Sequence, residues 1–230
     1  MPHMAGKRSY EDGCAAAHAL DLIGERWALL VIRELMLGPK RFTDLRAGLP
    51  GISPNVLTQR LQDLEQVSVV QRRKLEPPAS TWVYELSEWG RELEPVMMEL
   101  GRWGARSPAK PRDAALSVTS LILSFRTMFD PVAAEGFAAR FELRFGEDRF
   151  HAGIADGRID IERGAARQPD GLIESDPDTL ATLVYGDGDL AEALRTGKLG
   201  YQGDKAALKR FLKLFTLPAP AAVTWVAGKP

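Results

Sequence analysis

The chain has 230 residues and nearly balances its charge, with 30 Lys and Arg against 31 Asp and Glu. Hydrophobic residues make up 45% and no run approaches the ~18 apolar residues of a membrane span, so a globular fold without a membrane partner is expected. The single cysteine, Cys14, excludes an internal disulfide framework, and with no export signal legible the expected compartment is the cytoplasm.

Residues 14 to 37 read as two helices broken near Gly24, the second, Trp27 to Leu37, apolar nearly all round and so the buried centre of its domain. Gly38-Pro39 ends it. Phe42 to Ala47 reads as a short helix with Phe42 and Leu45 inward, followed by the turn Leu49-Pro50-Gly51-Ile52 and a helix that opens at Ser53. Ser53 is a good N-cap, and Pro54 at the first helical position loses nothing by lacking an N–H. Leu57, Leu61, Leu64 and Val67 recur at helical spacing and must face a core, which leaves Asn55, Thr58, Gln59 and Gln62 outward. Amides and hydroxyls can hydrogen-bond base edges, whereas a plain solvated helix more often shows Glu and Lys pairs there. Two helices joined by a tight Gly-containing turn make a helix-turn-helix, and its expected partner is double-stranded DNA.

Val69 to Lys74 and Trp82 to Leu86 are short strand candidates around Glu76-Pro77-Pro78-Ala79-Ser80, a hairpin with a Pro-stiffened tip that reads as a wing. Between residues 40 and 74 seven cations stand against three acids, so basic charge absent from the total is present locally. The candidate DNA-binding residues are therefore Ser53, Asn55, Thr58, Gln59 and Gln62 toward the major groove, with Thr43, Arg60, Arg72, Arg73 and Lys74 toward phosphates. Arg60 has a second reading, as a brace for its own helix.

Ser87 can cap a further helix in which Trp89, Leu93, Val96, Met97, Leu100 and Trp103 form one apolar stripe, with Pro95 forcing a kink or restart. On so small a domain the stripe is either core or a homodimer seam. Prolines 108 and 111, in Ser107-Pro108-Ala109-Lys110-Pro111-Arg112, mark a linker, giving an N-terminal domain at 1–106, a linker at 107–115 and a second domain at 116–230. There Val118, Leu121, Ile122, Phe125 and Phe129 define a helix. Phe137 to Phe145 alternates as a half-buried strand with Arg140, Glu142 and Arg144 outward, and Arg149 to Ile154 and Arg158 to Arg163 form a hairpin around Ala155-Asp156-Gly157. Helices are expected over Asp178 to Tyr185, Asp189 to Thr196 and Lys205 to Phe215. The second domain is α+β, and Phe141, Leu143 and Phe145 opposite Leu208, Phe211 and Leu212 are candidates for an apolar pocket.

From Cys14 onward the chain resembles the HxlR-type family of bacterial winged helix-turn-helix regulators. The resemblance is carried by Cys14, Leu20-Asp21-Leu22-Ile23-Gly24 with Trp27, Arg41-Phe42-Thr43-Asp44-Leu45, Gly51-Ile52-Ser53, Leu57-Thr58-Gln59-Arg60-Leu61, Pro77-Pro78, Tyr84-Glu85-Leu86-Ser87 and Leu93-Glu94-Pro95-Val96 ending in Trp103-Gly104. It implies a mainly α winged fold, transcription regulation, and a homodimer formed by the first helix and the helix after the wing. It also implies a redox or electrophile sensor role for Cys14, against the alternative of a small buried side chain. The strand after the recognition helix begins Glu65-Gln66-Val67-Ser68-Val69-Val70-Gln71-Arg72 where the family has Glu-x-x-Gly-Leu-Val-x-Arg, and the wing tip Ala79-Ser80-Thr81 lacks the family's frequent arginine. Residues 137 to 215 resemble the sterol carrier protein fold through Asp170-Gly171-Leu172-Ile173-Glu174-Ser175, Leu183-Val184-Tyr185-Gly186 and Gly197-Lys198-Leu199-Gly200-Tyr201-Gln202-Gly203-Asp204. This implies a lipid-like or aromatic effector.

No catalytic constellation is legible, so neither an enzyme nor a cofactor is expected. His3, His18 and His151 are scattered, and Cys14 with His18 four residues on lacks the further ligands of a metal site. Gly186-Asp187-Gly188-Asp189 reads as a turn between helices with Asp189 capping the second. The competing class is a hydrophobic-ligand carrier or small enzyme in which the winged helix serves only dimerisation.

Overall fold

In the computed structural model, which describes residues 9–111 and 114–222, the N-terminal part opens with helices α1 (Ala15–Ile23), α2 (Ala28–Leu35), α3 (Phe42–Ala47) and α4 (Pro54–Gln66). Strands β1 (Val70–Lys74) and β2 (Trp82–Leu86) follow, then α5 (Glu88–Arg91) and α6 (Glu94–Ala105). The leucine spacing of α4 does what periodicity requires: Leu57, Leu61 and Leu64 are buried against Val31, Ile32 and Leu35 of α2, Leu45 of α3, Val70 and Leu86. Each such side chain contributes ~1.5–3 kcal/mol on leaving water. Val67 caps α4 and packs on the edge of this core.

The wing is antiparallel, in register from Val70↔Leu86 to Lys74↔Trp82. Lys40 pairs with Tyr84 through two backbone hydrogen bonds of 2.8 and 2.9 Å, so the segment after α2 adds a short third edge to it. Glu34, on the helix read as apolar nearly all round, is fully buried and accepts from Lys40 Nζ at 2.6 Å and Arg33 Nη2 at 2.9 Å. After the wing the helix breaks at Glu92-Leu93 and restarts at Glu94, which puts Pro95 in a first turn where its missing N–H costs nothing.

The chain divides between Met97 and Met98 into two units, with α6 spanning the division. Residues 107–111 hold neither helix nor strand, while Arg112 of the expected linker and His3 lie outside the described residues. The second unit holds α7 (Val118–Met128), β3 (Ala139–Phe145), β4 (Asp148–Ala155), β5 (Arg158–Arg163), β6 (Gly171–Ser175), α8 (Pro177–Tyr185), α9 (Leu190–Thr196), β7 (Leu199–Gly203) and α10 (Lys205–Phe211). It is α+β: a five-stranded mixed sheet of order β5-β4-β3-β6-β7, with β3 and β6 parallel and the other neighbours antiparallel.

Asp156 and Gly157 turn the β4–β5 hairpin at φ 52° and 67°, the left-handed pair that matches strand twist. Asp189 caps α9 by accepting from the N–H groups of Ala191 and Glu192. The alternation of β3 holds on its apolar side but fails on the other. Phe137 precedes the strand, and Glu142 is 4% exposed, held by Arg144 Nε at 2.6 Å and the Ala166 N–H at 2.9 Å. Burial pushes its carboxyl up, yet these donors win and hold it below the usual range.

Candidate nucleic-acid interface

Each helix of the helix-turn-helix is capped at its start. Asp44 accepts from the Arg41 N–H at the start of α3, and Ser53 Oγ accepts from the Val56 N–H at the start of α4. Gly51, at φ 87°, makes the bend between them. The Ser53 hydroxyl is thus occupied by its own helix. On α4 the three-residue and four-residue steps that bury the leucines leave Asn55, Thr58, Gln59 and Gln62 all exposed. Thr58 Oγ1 donates to Pro54 O at 2.9 Å and Gln59 Nε2 to Asp63 Oδ1 at 3.0 Å, which holds both outward in defined rotamers and leaves acceptors open.

The cations do not form one equivalent row. Arg60 has a side chain only 15% exposed, with Nη1 3.0 Å from Asp63 Oδ2 on its own helix and 3.4 Å from Glu25 Oε2 in the turn between α1 and α2, the geometry of a brace. Thr43 is exposed and donates to Asp44 at 3.2 Å. Strand alternation separates Arg72 from Arg73. Arg73 forms a two-pronged pair with Glu85, both contacts 2.9 Å, and Gln71 Nε2 adds a third donor at 2.8 Å. This pair holds the Glu85 carboxyl below its ordinary value. Arg72 turns to the other face, where its guanidinium lies 4.5 Å from the Trp82 ring centre and 5.8 Å from that of Tyr84. Lys74 is exposed and meets no carboxylate among the described residues.

Cys14 is exposed at the start of α1, where the N–H groups of Ala17 and Ala16 lower its thiol from the ordinary value without a regular cap hydrogen bond. Along α5 and α6, Trp89, Val96, Leu100 and Trp103 are exposed, Trp103 by 74%, while Leu93 leans on the core and Met97 is half-buried. In the second unit the six residues read as a pocket are all buried. Phe141 and Phe211 meet ring against ring at 4.7 Å, and Phe125 stacks on Phe215 at 4.4 Å, so aromatic side chains occupy the space between sheet and helices. The surface depressions beside Pro131, Gly153 and Thr216 involve none of the six.

Residues 22–110 match the family model for the HxlR-like helix-turn-helix. Over 85 residues the chain is 40% identical to the HTH-type transcriptional regulator YodB of Bacillus subtilis (strain 168), a match spanning 37% of this chain and 76% of that protein. The chain belongs to the HxlR-like helix-turn-helix family. It is also 35% identical over 95 residues to the uncharacterized HTH-type transcriptional regulator YdeP of the same strain, covering 41% of this chain and 74% of YdeP. Among solved structures, the reduced form of YodB from B. subtilis is 36% identical, covers 42% of this chain and 95% of that one, and superposes with a TM-score of 0.38. The HxlR-like match ends at residue 110, ahead of α7 and the five-stranded sheet.

Proposed function

We propose that this HxlR-like protein is a sequence-specific DNA-binding transcriptional regulator acting as a homodimer. The observation that carries the reading is the outward face of α4, with Asn55, Thr58, Gln59 and Gln62 exposed on a stripe of buried leucines and a cationic wing directly after it. Two of the similar proteins are themselves named HTH-type transcriptional regulators. The dimer seam is the stripe of Trp89, Leu93, Val96, Met97, Leu100 and Trp103, supported by two tryptophans left 49% and 74% exposed in the single chain. Two copies of α4 one helical turn of DNA apart read an inverted repeat. Selection from randomised duplexes tests this: recovery of a palindromic site with salt-dependent affinity supports it. Failure to enrich any sequence leaves the competing class, a carrier or small enzyme using the winged helix only to dimerise.

A second reading adds control through Cys14, which the exposed thiol at a helix start favours. Its test is reaction with a small quinone followed by DNA affinity, with Cys14→Ser as the unresponsive control. For the second unit we propose a sterol-carrier-like fold and control by a lipid-like or aromatic effector. The mixed sheet with its helices supports the fold, while the filled aromatic centre gives the effector no geometric support, so that part rests on sequence resemblance. Melting the full chain with a fatty acid or a polycyclic aromatic decides it, since a ligand at a hundredfold excess over Kd stabilises by ~2.7 kcal/mol.

A further inference from the structure

We infer that Trp82 is a positioning residue that holds Arg72 as the wing's groove-reading cation, while Arg73 is withheld from DNA by Glu85; this rests on the DNA-reading function proposed above. Three cations follow one another at the end of β1, and composition makes them interchangeable. The two-residue alternation of the strand does not. Arg72 shares its face with Val70, Trp82, Tyr84 and Leu86, the face that continues into the helical core, and Arg73 stands on the opposite face with Gln71 and Glu85. On that second face the guanidinium is matched prong for prong by a carboxylate, and a phosphate would have to compete with a partner already in place.

Arg72 has no carboxylate partner among the described residues, and its guanidinium lies 4.5 Å from the ring centre of a tryptophan that is itself 49% exposed. Stacking fixes a long side chain while leaving its N–H edge unspent, so the ordering cost is met before DNA arrives. Tyr84, whose ring centre lies 5.8 Å from the same guanidinium, is in turn anchored by its backbone pairing to Lys40. A single pre-ordered arginine on a wing suits the narrow minor groove of A·T-rich DNA, whose negative potential favours an inserted guanidinium. Sequence preference outside the bases read by α4 then comes from Arg72.

The experiment uses the full chain and a duplex recovered by selection from randomised DNA on the unmodified protein. W82A leaves charge unchanged and is expected to weaken binding about tenfold and to erase the preference for A·T pairs flanking the half-sites. R72K keeps the charge but loses the planar stack and should show the same loss, whereas W82F restores affinity to within about threefold and R73A stays within about threefold. If W82A does not fold by circular dichroism, the contrast of R72K with W82F decides. Enrichment with an intact flank preference in R72K, or in folded W82A, overturns the role given to this pair and leaves the DNA-reading function standing. Failure of the unmodified protein to enrich any duplex overturns that function itself.

Discussion

Glu34 accepts from Lys40 at 2.6 Å inside a unit whose other central residues are apolar, and the Lys40 backbone is hydrogen-bonded to Tyr84 of the wing. One buried carboxylate therefore ties α2 to the segment that sets the wing's edge. A buried pair adds little net stability when intact, but losing one partner strands the other. Glu34→Ala is expected to lower unfolding free energy by ~3–5 kcal/mol in urea melts. A loss under about 1 kcal/mol would show that Lys40 and Arg33 simply turn to water. Gly48→Ala approaches the same site: an added Cβ would sit 2.5 Å from Glu34 Oε2, so the carboxylate must shift away from Lys40, and a cost of ~1–3 kcal/mol is expected.

Gln59→Ala removes one outward amide from α4 without touching its buried leucines. Sequence discrimination should fall by ~1–3 kcal/mol at one base-pair position with fold and salt dependence unchanged. Uniform weakening across all duplexes would move Gln59 from base reading to backbone contact.

Trp103→Glu places a charge where the proposed seam is most apolar and most exposed in the single chain. Burial of such aromatics at an interface typically carries several kcal/mol, so the variant should sediment as a monomer and lose the selected duplex. A folded variant that still sediments as a dimer relocates the interface.

Glu85 supplies a pH signature for the wing. Its carboxyl is held below the ordinary value chiefly by the Arg73 hydrogen bond, so folding gains stability from it above the unfolded-state value and loses that gain as pH falls through the lowered one. Glu85→Gln should thus be less stable than the parent at about pH 7 and equal to it at about pH 2, where both side chains are neutral. The effect is small because the pair is partly in water. A difference that persists unchanged in acid would assign the loss to packing instead.

The helix-turn-helix was legible because its signals are local: the Ser53 cap, Pro54 and the leucine steps each act within a few residues of one another. What escaped were relations that only register or tertiary contact creates. Glu85 and Arg73 lie twelve residues apart, and a hairpin tip of this length leaves the pairing open until the strands meet. Glu34 and Glu142 sit in patterns that place charges outside, and both are drawn in by cations and N–H groups supplied from elsewhere in the chain. Strands β6 and β7 were missed because Gly171, Gly200 and Gly203 dilute the β-branched signal. Gly171 and Gly203 are required there: a Cβ would strike Phe141 or Tyr201 at 2.8 Å. For the pocket, sequence located the facing residues but not whether their side chains leave space. Phe141 and Phe211 meet ring against ring there.

The parallel pairing of β3 with β6 imposes an order in time. Strands β3, β4 and β5 form a continuous meander whose tight turns can close within ~1–10 μs. Beside it, β6 must return across the whole hairpin to reach the free side of β3, where Asp170 latches it by exchanging hydrogen bonds of 2.7 Å with Arg140. Until that latch closes, β3 holds Phe141 and Leu143 on a strand with one unpaired edge, the template on which nascent chains stick to one another. By contact order the long-range closure is the slower pairing to form, and Asp170 stands at the edge where that closure completes the sheet.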